Sequence, residues 1–255
     1  MRGFKAAPEH NPRPQPSCMT DPIQRSSLAL RRIALLQGLS DQRLDRLAQQ
    51  CLWHTADADH TLMARADDRG EVCFLVSGSV RVTTYSAQGR QVTFRDCEAG
   101  EMFGDIAAVD GLPRSADVVT LQPSVVASLD RAAFRALLRE EPDVAERVML
   151  RLTALVRQLS ERVIDLSTLG VQHRLHAELL RIARLAGVVD NQARLSPPPR
   201  HAVLASQIST NREQVTRELG VLAREGLLRK EEQALVLTDV RLLADRVALV
   251  RGEAV

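Results

Sequence analysis

The chain has 255 residues, of which 45% are hydrophobic and 26% charged, and carries a formal net charge of +2. This suits one large or two ordinary globular units with real cores. It excludes a globally basic protein, so contact with nucleic acid needs a local patch. The longest apolar runs are short and interrupted, which argues against a membrane span and for a cytoplasmic protein.

Positions 1–27 are polar and rich in proline, with no apolar signal-peptide core, and read as a disordered tail. Cys18, Cys51, Cys73 and Cys97 are scattered and form no C-x-x-C pair, and the six histidines show no paired metal spacing. Neither zinc nor an iron–sulfur cluster is signalled. No catalytic motif is present, so the expectation is a non-enzyme without a metal.

"SLALRRIALLQGLSDQRLDRLAQQCLWHT" has helical periodicity, with Ser40 as a candidate N-cap. From about Thr61 to Leu129 the pattern changes to short β-prone runs punctuated by Gly78, Gly89 and Gly100, with alternation in "SVRVTTY" and "QVTFRD". That predicts an antiparallel sandwich or roll. "DRAAFRALLREEP" is a short helix ended by Pro142. A run without Gly or Pro follows from 143 to 169. Val148, Leu152, Leu155, Leu159 and Leu166 step by threes, fours and sevens along it. That narrow stripe predicts a helix packed on a copy of itself, against the plainer reading of an internal core helix. After Gly170 come an amphipathic helix, "SPPP" as an extended bridge, a helix–turn–helix and two short strands, "LLRK" and "ALVLT". This order predicts a winged helix-turn-helix, closed by a last helix in "VRLLADRVALVRGEAV". The expected divisions are a tail at 1–27, a sensor domain at 28–142, a dimerisation helix at 143–170 and a DNA-binding domain at 171–255.

Two stretches carry chemistry. "STNREQVTREL" (209–219) has only Val215 and Leu219 to bury. Ser209 or Thr210 is placed to cap it, and its first turns carry Asn211, Arg212, Glu213, Thr216 and Arg217. Arginine pairs with guanine O6 and N7, and glutamate accepts from cytosine N4. The plainer reading is a surface Glu–Arg ion pair of little worth. In "GEMFGDIAAVDGLPRSADV" (100–118), a Gly–acid pair opens a helical turn, and a Gly-Leu-Pro turn delivers Arg114 and Ser115. Backbone N–H groups plus an arginine make an anion cradle; alone, it is also a tight turn with an exposed arginine.

In order and spacing, these parts resemble the cyclic-AMP receptor protein/FNR family of bacterial transcription regulators over about residues 28–240. The resemblance implies an α+β fold: a cyclic-nucleotide-binding β-roll (a double-stranded β-helix or jelly roll), a long dimerisation helix and a C-terminal winged helix-turn-helix. It implies that Gly104, Asp105 and Ile106 belong to the phosphate cassette, with the Asp105 carboxylate on the ribose. Arg114 and Ser115 would clamp the cyclic phosphate, and Arg157 and Ser160 would face the purine. Ser209, Asn211, Arg212, Glu213, Thr216 and Arg217 would contact DNA, through half-sites of the TGTGA type. Two departures stand out. Asp105 replaces a glutamate, and Leu159 replaces a base-bonding threonine. The expectation is a homodimer on a near-palindromic operator, controlled by a cyclic nucleotide (cAMP or cGMP) and partnered by RNA polymerase. The alternatives are cyclic di-GMP, redox control at Cys73 or Cys97, or no effector.

Overall fold

The computed structural model describes residues 26–86 and 91–252. The tail through residue 25, Cys18 and the Gly89 turn lie outside them. The chain opens with α1 (Ser27–Leu30), a 3-10 turn (Ala34–Leu36) and α2 (Asp41–Gln50), where the Ser40 side chain accepts from Arg43 N as the expected N-cap.

The strands of the roll are β1 (Leu52–Ala56), β2 (Thr61–Met63), β3 (Val72–Ser77), β4 (Ser79–Tyr85), β5 (Gln91–Glu98) and β6 (Met102–Phe103). After α3 (Asp105–Asp110) come β7 (Asp117–Thr120) and β8 (Ser124–Leu129). They form two four-stranded sheets, ordered β1-β8-β3-β6 and β2-β7-β4-β5, with every pairing antiparallel. Successive strand residues face opposite ways, and β3 shows what that does here. Val72 and Phe74 join a core shared with the helices, while Cys73 and Leu75 join Val80, Cys97 and Val118 between the sheets. Both faces of β3 are therefore buried, which is why it reads as an unbroken apolar run.

α4 (Arg131–Glu140) is capped by Asp130, whose carboxylate accepts from Ala132 N and Ala133 N. Its Phe134 and Leu137 close the core beneath the first sheet. α5 (Pro142–Thr168) follows with proline in its first turn, where the missing N–H costs nothing. At 1.5 Å per residue its 27 residues run about 40 Å.

The stripe expected for self-packing divides between two faces. Val148 is buried in the sensor core and Leu152 packs against that core. Leu155 and Leu159 turn toward the roll. The large apolar side chains left exposed on α5 are Met149, Leu150, Val156, Val163, Ile164 and Leu166, with Leu159 partly exposed at its edge. Met149, Val156 and Val163 recur at sevens, with Leu159 and Leu166 as the alternate set, the spacing of a two-helix seam.

The C-terminal unit comprises α6 (Val171–Ala186), β9 (Val188–Val189), β10 (Gln192–Leu195), α7 (His201–Gln207), α8 (Arg212–Arg224), β11 (Leu228–Glu231), β12 (Ala234–Leu237) and α9 (Val240–Arg251). Instead of the expected two-stranded wing, the sheet has four strands, ordered β11-β12-β10-β9. Leu175, Leu204, Val215, Leu219 and Leu243 build one core from α6, α7, α8 and α9. This unit is tied to the roll through Arg162 of α5. Its guanidinium donates to Thr93 O on β5 and to Gln207 O at the end of α7.

Candidate functional site

A cavity of about 240 Å³ lies between the sheet carrying β4 and β5, the β6–α3 turn and α5. Met63, Val82, Phe94, Phe103, Leu155 and Leu159 give it apolar walls, and Arg95, Asp105, Arg114 and Ser115 give it polar side chains. Gly104 sits at its floor with φ +83°, and an added Cβ would fall 2.8 Å from Arg114 Nη1 and 3.0 Å from Glu71 O. Only glycine takes that conformation without strain and leaves that space.

Arg114 is 5% exposed. Its Nη1 donates to Gly104 O at 2.9 Å, its Nη2 donates to Glu71 O at 2.6 Å, and Glu71 Oε2 lies 3.2 Å from Nη2. The Nε–H makes no hydrogen bond among the described residues. The β2–β3 loop holds the Arg114 backbone as well, through Arg114 N to Asp67 O and Ala66 N to Arg114 O. Ser115 follows, exposed on the cavity rim. A buried cation fixed from behind and facing a cavity is built for an anion.

Asp105 is 5% exposed. Arg151 of α5 donates through Nε to Asp105 Oδ2 at 3.1 Å and through Nη2 to Met102 O at 2.8 Å. Asp105 Oδ1 has no partner among the described residues, leaving an acceptor at the cavity. Arg151 carried no signal in the sequence, because it is one of many arginines on an amphipathic helix. Ile106 lines the cavity, as expected.

Arg157 and Ser160 are not brought to the cavity of their own chain. Both are exposed on α5, and Ser160 Oγ donates to Val156 O. A helix turns 100° per residue, so a face that sends Leu155 and Leu159 to the roll sends Arg157 and Ser160 elsewhere. Cys51, Cys73 and Cys97 are free and buried, and burial pushes each thiol up to about 12. Almost no thiolate exists near neutral pH for redox chemistry at Cys73 or Cys97. Among the described residues no cluster of His, Cys, Asp and Glu is suited to hold a metal, and no helix is long and apolar enough to cross a membrane.

In the C-terminal unit the N-cap of α8 is Asn211, whose Oδ1 accepts from Gln214 N at 2.8 Å. The cap is thus neither Ser209 nor Thr210; Ser209, two residues before it, stands at φ +55°. Val215, Leu219 and Leu222 face the core, while Arg212, Glu213, Thr216 and Arg217 are exposed. The surface Glu213–Arg217 ion pair does not form. Arg217 donates to Gln214 Oε1 instead, and Gln214 donates to Glu218. Arg212 and Glu213 have no side-chain partner among the described residues. Thr216 Oγ1 lies 2.7 Å from His201 Nδ1. The pKa of His201 is lowered by burial first and then by the nearby cations Lys230 and Arg212. His201 and Lys230 carried no signal in the sequence, since each is a lone polar residue outside the motif.

A roll with an anion-fitted cavity, joined by a long helix to a winged helix-turn-helix, defines a DNA-binding regulator with a sensor domain. The chain belongs to the Crp/Fnr family. Residues 54–141 match the cyclic nucleotide-binding domain family, and residues 173–246 match the Crp-like helix-turn-helix domain family. A CRP-like cAMP-activated global transcriptional regulator of Mycobacterium tuberculosis is 24% identical over 85% of this chain and 97% of its own length. The cyclic AMP receptor protein of Thermus thermophilus is 30% identical over 70% of this chain and 80% of its own. Among solved structures, the c-di-GMP responsive global regulator CLP of Xanthomonas campestris superposes with a TM-score of 0.68 at 17% identity, covering 78% of this chain and 99% of that one. The protein is a Crp-like transcription regulator, not an enzyme.

Proposed function

We propose that the chain works as a homodimer whose affinity for a near-palindromic operator is set by a cyclic mononucleotide in the roll. The observation that carries this is the cavity itself, which Arg114, Ser115, Asp105 and Gly104 line together, with Arg114 Nη1 donating to Gly104 O. In this reading Arg114 and Ser115 take the cyclic phosphate and Asp105 accepts from the ribose. The volume of about 240 Å³ is at or below the small end for ligand pockets. That favours a mononucleotide over a dinucleotide such as cyclic di-GMP. The exposed seam of α5 supports pairing about a two-fold axis, which would turn Arg157 and Ser160 toward the partner subunit's cavity. Two α8 helices would then enter major grooves about 34 Å apart. Arg212, Glu213 and Arg217 would read bases, while Ser209, Asn211 and Thr216 would contact the backbone or neighbouring bases. RNA polymerase is the expected protein partner, and the cytoplasm the expected compartment.

The test is Arg114→Leu. It should abolish nucleotide binding by calorimetry and nucleotide-dependent operator shift, with the fold retained by circular dichroism. Unchanged binding would remove the cradle.

A further inference from the structure

We propose that Arg95 sets the base preference of the effector cavity, and that it selects cyclic GMP over cyclic AMP. This rests on the reading of Asp105, Arg114 and Ser115 as the sugar–phosphate end. Of the polar side chains that line the cavity among the described residues, only Arg95 then remains for the base.

Its position is the work of a bulge. Val82 pairs with Arg95 and Thr83 pairs with Thr93, so Phe94 is an extra residue in β5. Neighbours on a regular strand face opposite ways, yet Phe94 and Arg95 both line the cavity. The extra residue re-aims them, as bulges beside functional sites do. The guanidinium is anchored rather than consumed. Nη1 donates to Glu101 Oε1 at 3.3 Å and Nη2 to Met102 O at 3.0 Å. A guanidinium carries five N–H groups, so donors remain for a ligand.

Those donors distinguish the two bases. Guanine presents O6 and N7, two adjacent acceptors, whereas adenine presents N7 beside an amino donor. Adenine would set its amino group against another donor, with Leu155 and Leu159 offering nothing to accept from it. Against the apolar walls at that end of the pocket, an unmatched polar group is costly. A hydroxyl such as Ser160 of the partner subunit donates and accepts, so it serves either base.

The experiment is calorimetric titration of the full-length protein with cyclic GMP and cyclic AMP, alongside Arg95→Gln. Wild type should bind cyclic GMP at least about tenfold tighter. Glutamine offers a donor and an acceptor suited to adenine, so Arg95→Gln should shift the preference toward cyclic AMP. A ligand-side arm needs no variant: 7-deaza-cyclic GMP, lacking N7, should bind wild type about tenfold more weakly than cyclic GMP. Equal binding of both nucleotides, a preference for cyclic AMP, or an equal loss of both in Arg95→Gln overturns the role of Arg95 alone. Failure of the folded wild type to bind any cyclic nucleotide overturns the nucleotide reading of the cavity, and this proposal with it.

Discussion

Thr93 Oγ1 on β5 and Ser206 Oγ on α7 lie 3.0 Å apart across the junction between roll and helix-turn-helix, both side chains buried. Ser206 already donates its single hydroxyl hydrogen to Val203 O, so Thr93 is the donor. Phe94 and Arg95, the next two residues, line the cavity. The strand that lines the cavity is therefore the strand on which the first helix of the helix-turn-helix rests.

Ser206→Ala leaves the Thr93 hydroxyl without its buried acceptor, at a cost of about 1–3 kcal/mol to docking. Hydrogen exchange across residues 199–211 should quicken in the variant while exchange in the sheet core holds. Unchanged exchange at the junction would show that the pair does not hold the two units together.

The Arg212 guanidinium has no intramolecular partner among the described residues, so its replacement should isolate a DNA effect. Arg212→Ala should lower operator affinity by about 1–3 kcal/mol and relax selectivity at one base position in gel shifts against operator variants. A loss equal on all sequences would make it a phosphate contact.

The seam of α5 can be tested with a charge. Val163→Glu places a carboxylate where Val163, now 63% exposed, would meet its counterpart on a second copy. Two such carboxylates at a desolvated interface repel and lose their water. Sedimentation should show a shift to monomer and a loss of operator binding; an intact dimer would move the interface elsewhere.

His176 gives the DNA-binding unit an acid limit. It is 1% exposed, and neither ring nitrogen has a hydrogen-bond partner. Burial, helped by His173 and Arg246, lowers its pKa to about 4. Between about pH 6.5 and pH 4 the unfolded chain binds a proton that the folded one refuses. This contribution is therefore fully present above pH 6.5 and is lost as pH falls, by roughly 3 kcal/mol in all. His176→Leu should flatten that part of the melting-temperature profile.

Much of the fold was legible because local chemistry marked it. Gly78 stands at φ +89° where a Cβ would strike Ser124, Ser40 caps α2 as expected, and Pro142 marks the end of α4, though it also opens α5. The β9–β10 hairpin escaped because two- and four-residue strands show no alternation. Its signal was the Asp190–Asn191 pair, both at positive φ, which suits a two-residue hairpin turn. In the site, Gly104, Asp105, Ile106, Arg114 and Ser115 came together as expected. Arg95 and Arg162 did not announce themselves, since a bulge and a docking surface are set by partners distant in the chain. The misassigned stripe on α5 has a similar cause. Spacing reveals that a helix has apolar faces, but Val148 and Val156 differ only in what lies opposite them.

That division of α5 has a mechanical meaning. Leu155 and Leu159 line the cavity, while Val156 and Val163, immediately beside them in the helical wheel, are exposed and form the seam proposed to meet a second copy. Such a rod cannot roll about its own axis to admit an occupant without also changing the mesh of its outer teeth. Gearing between chamber and seam is thus inherent in one stretch of backbone, with no relay of intermediate parts.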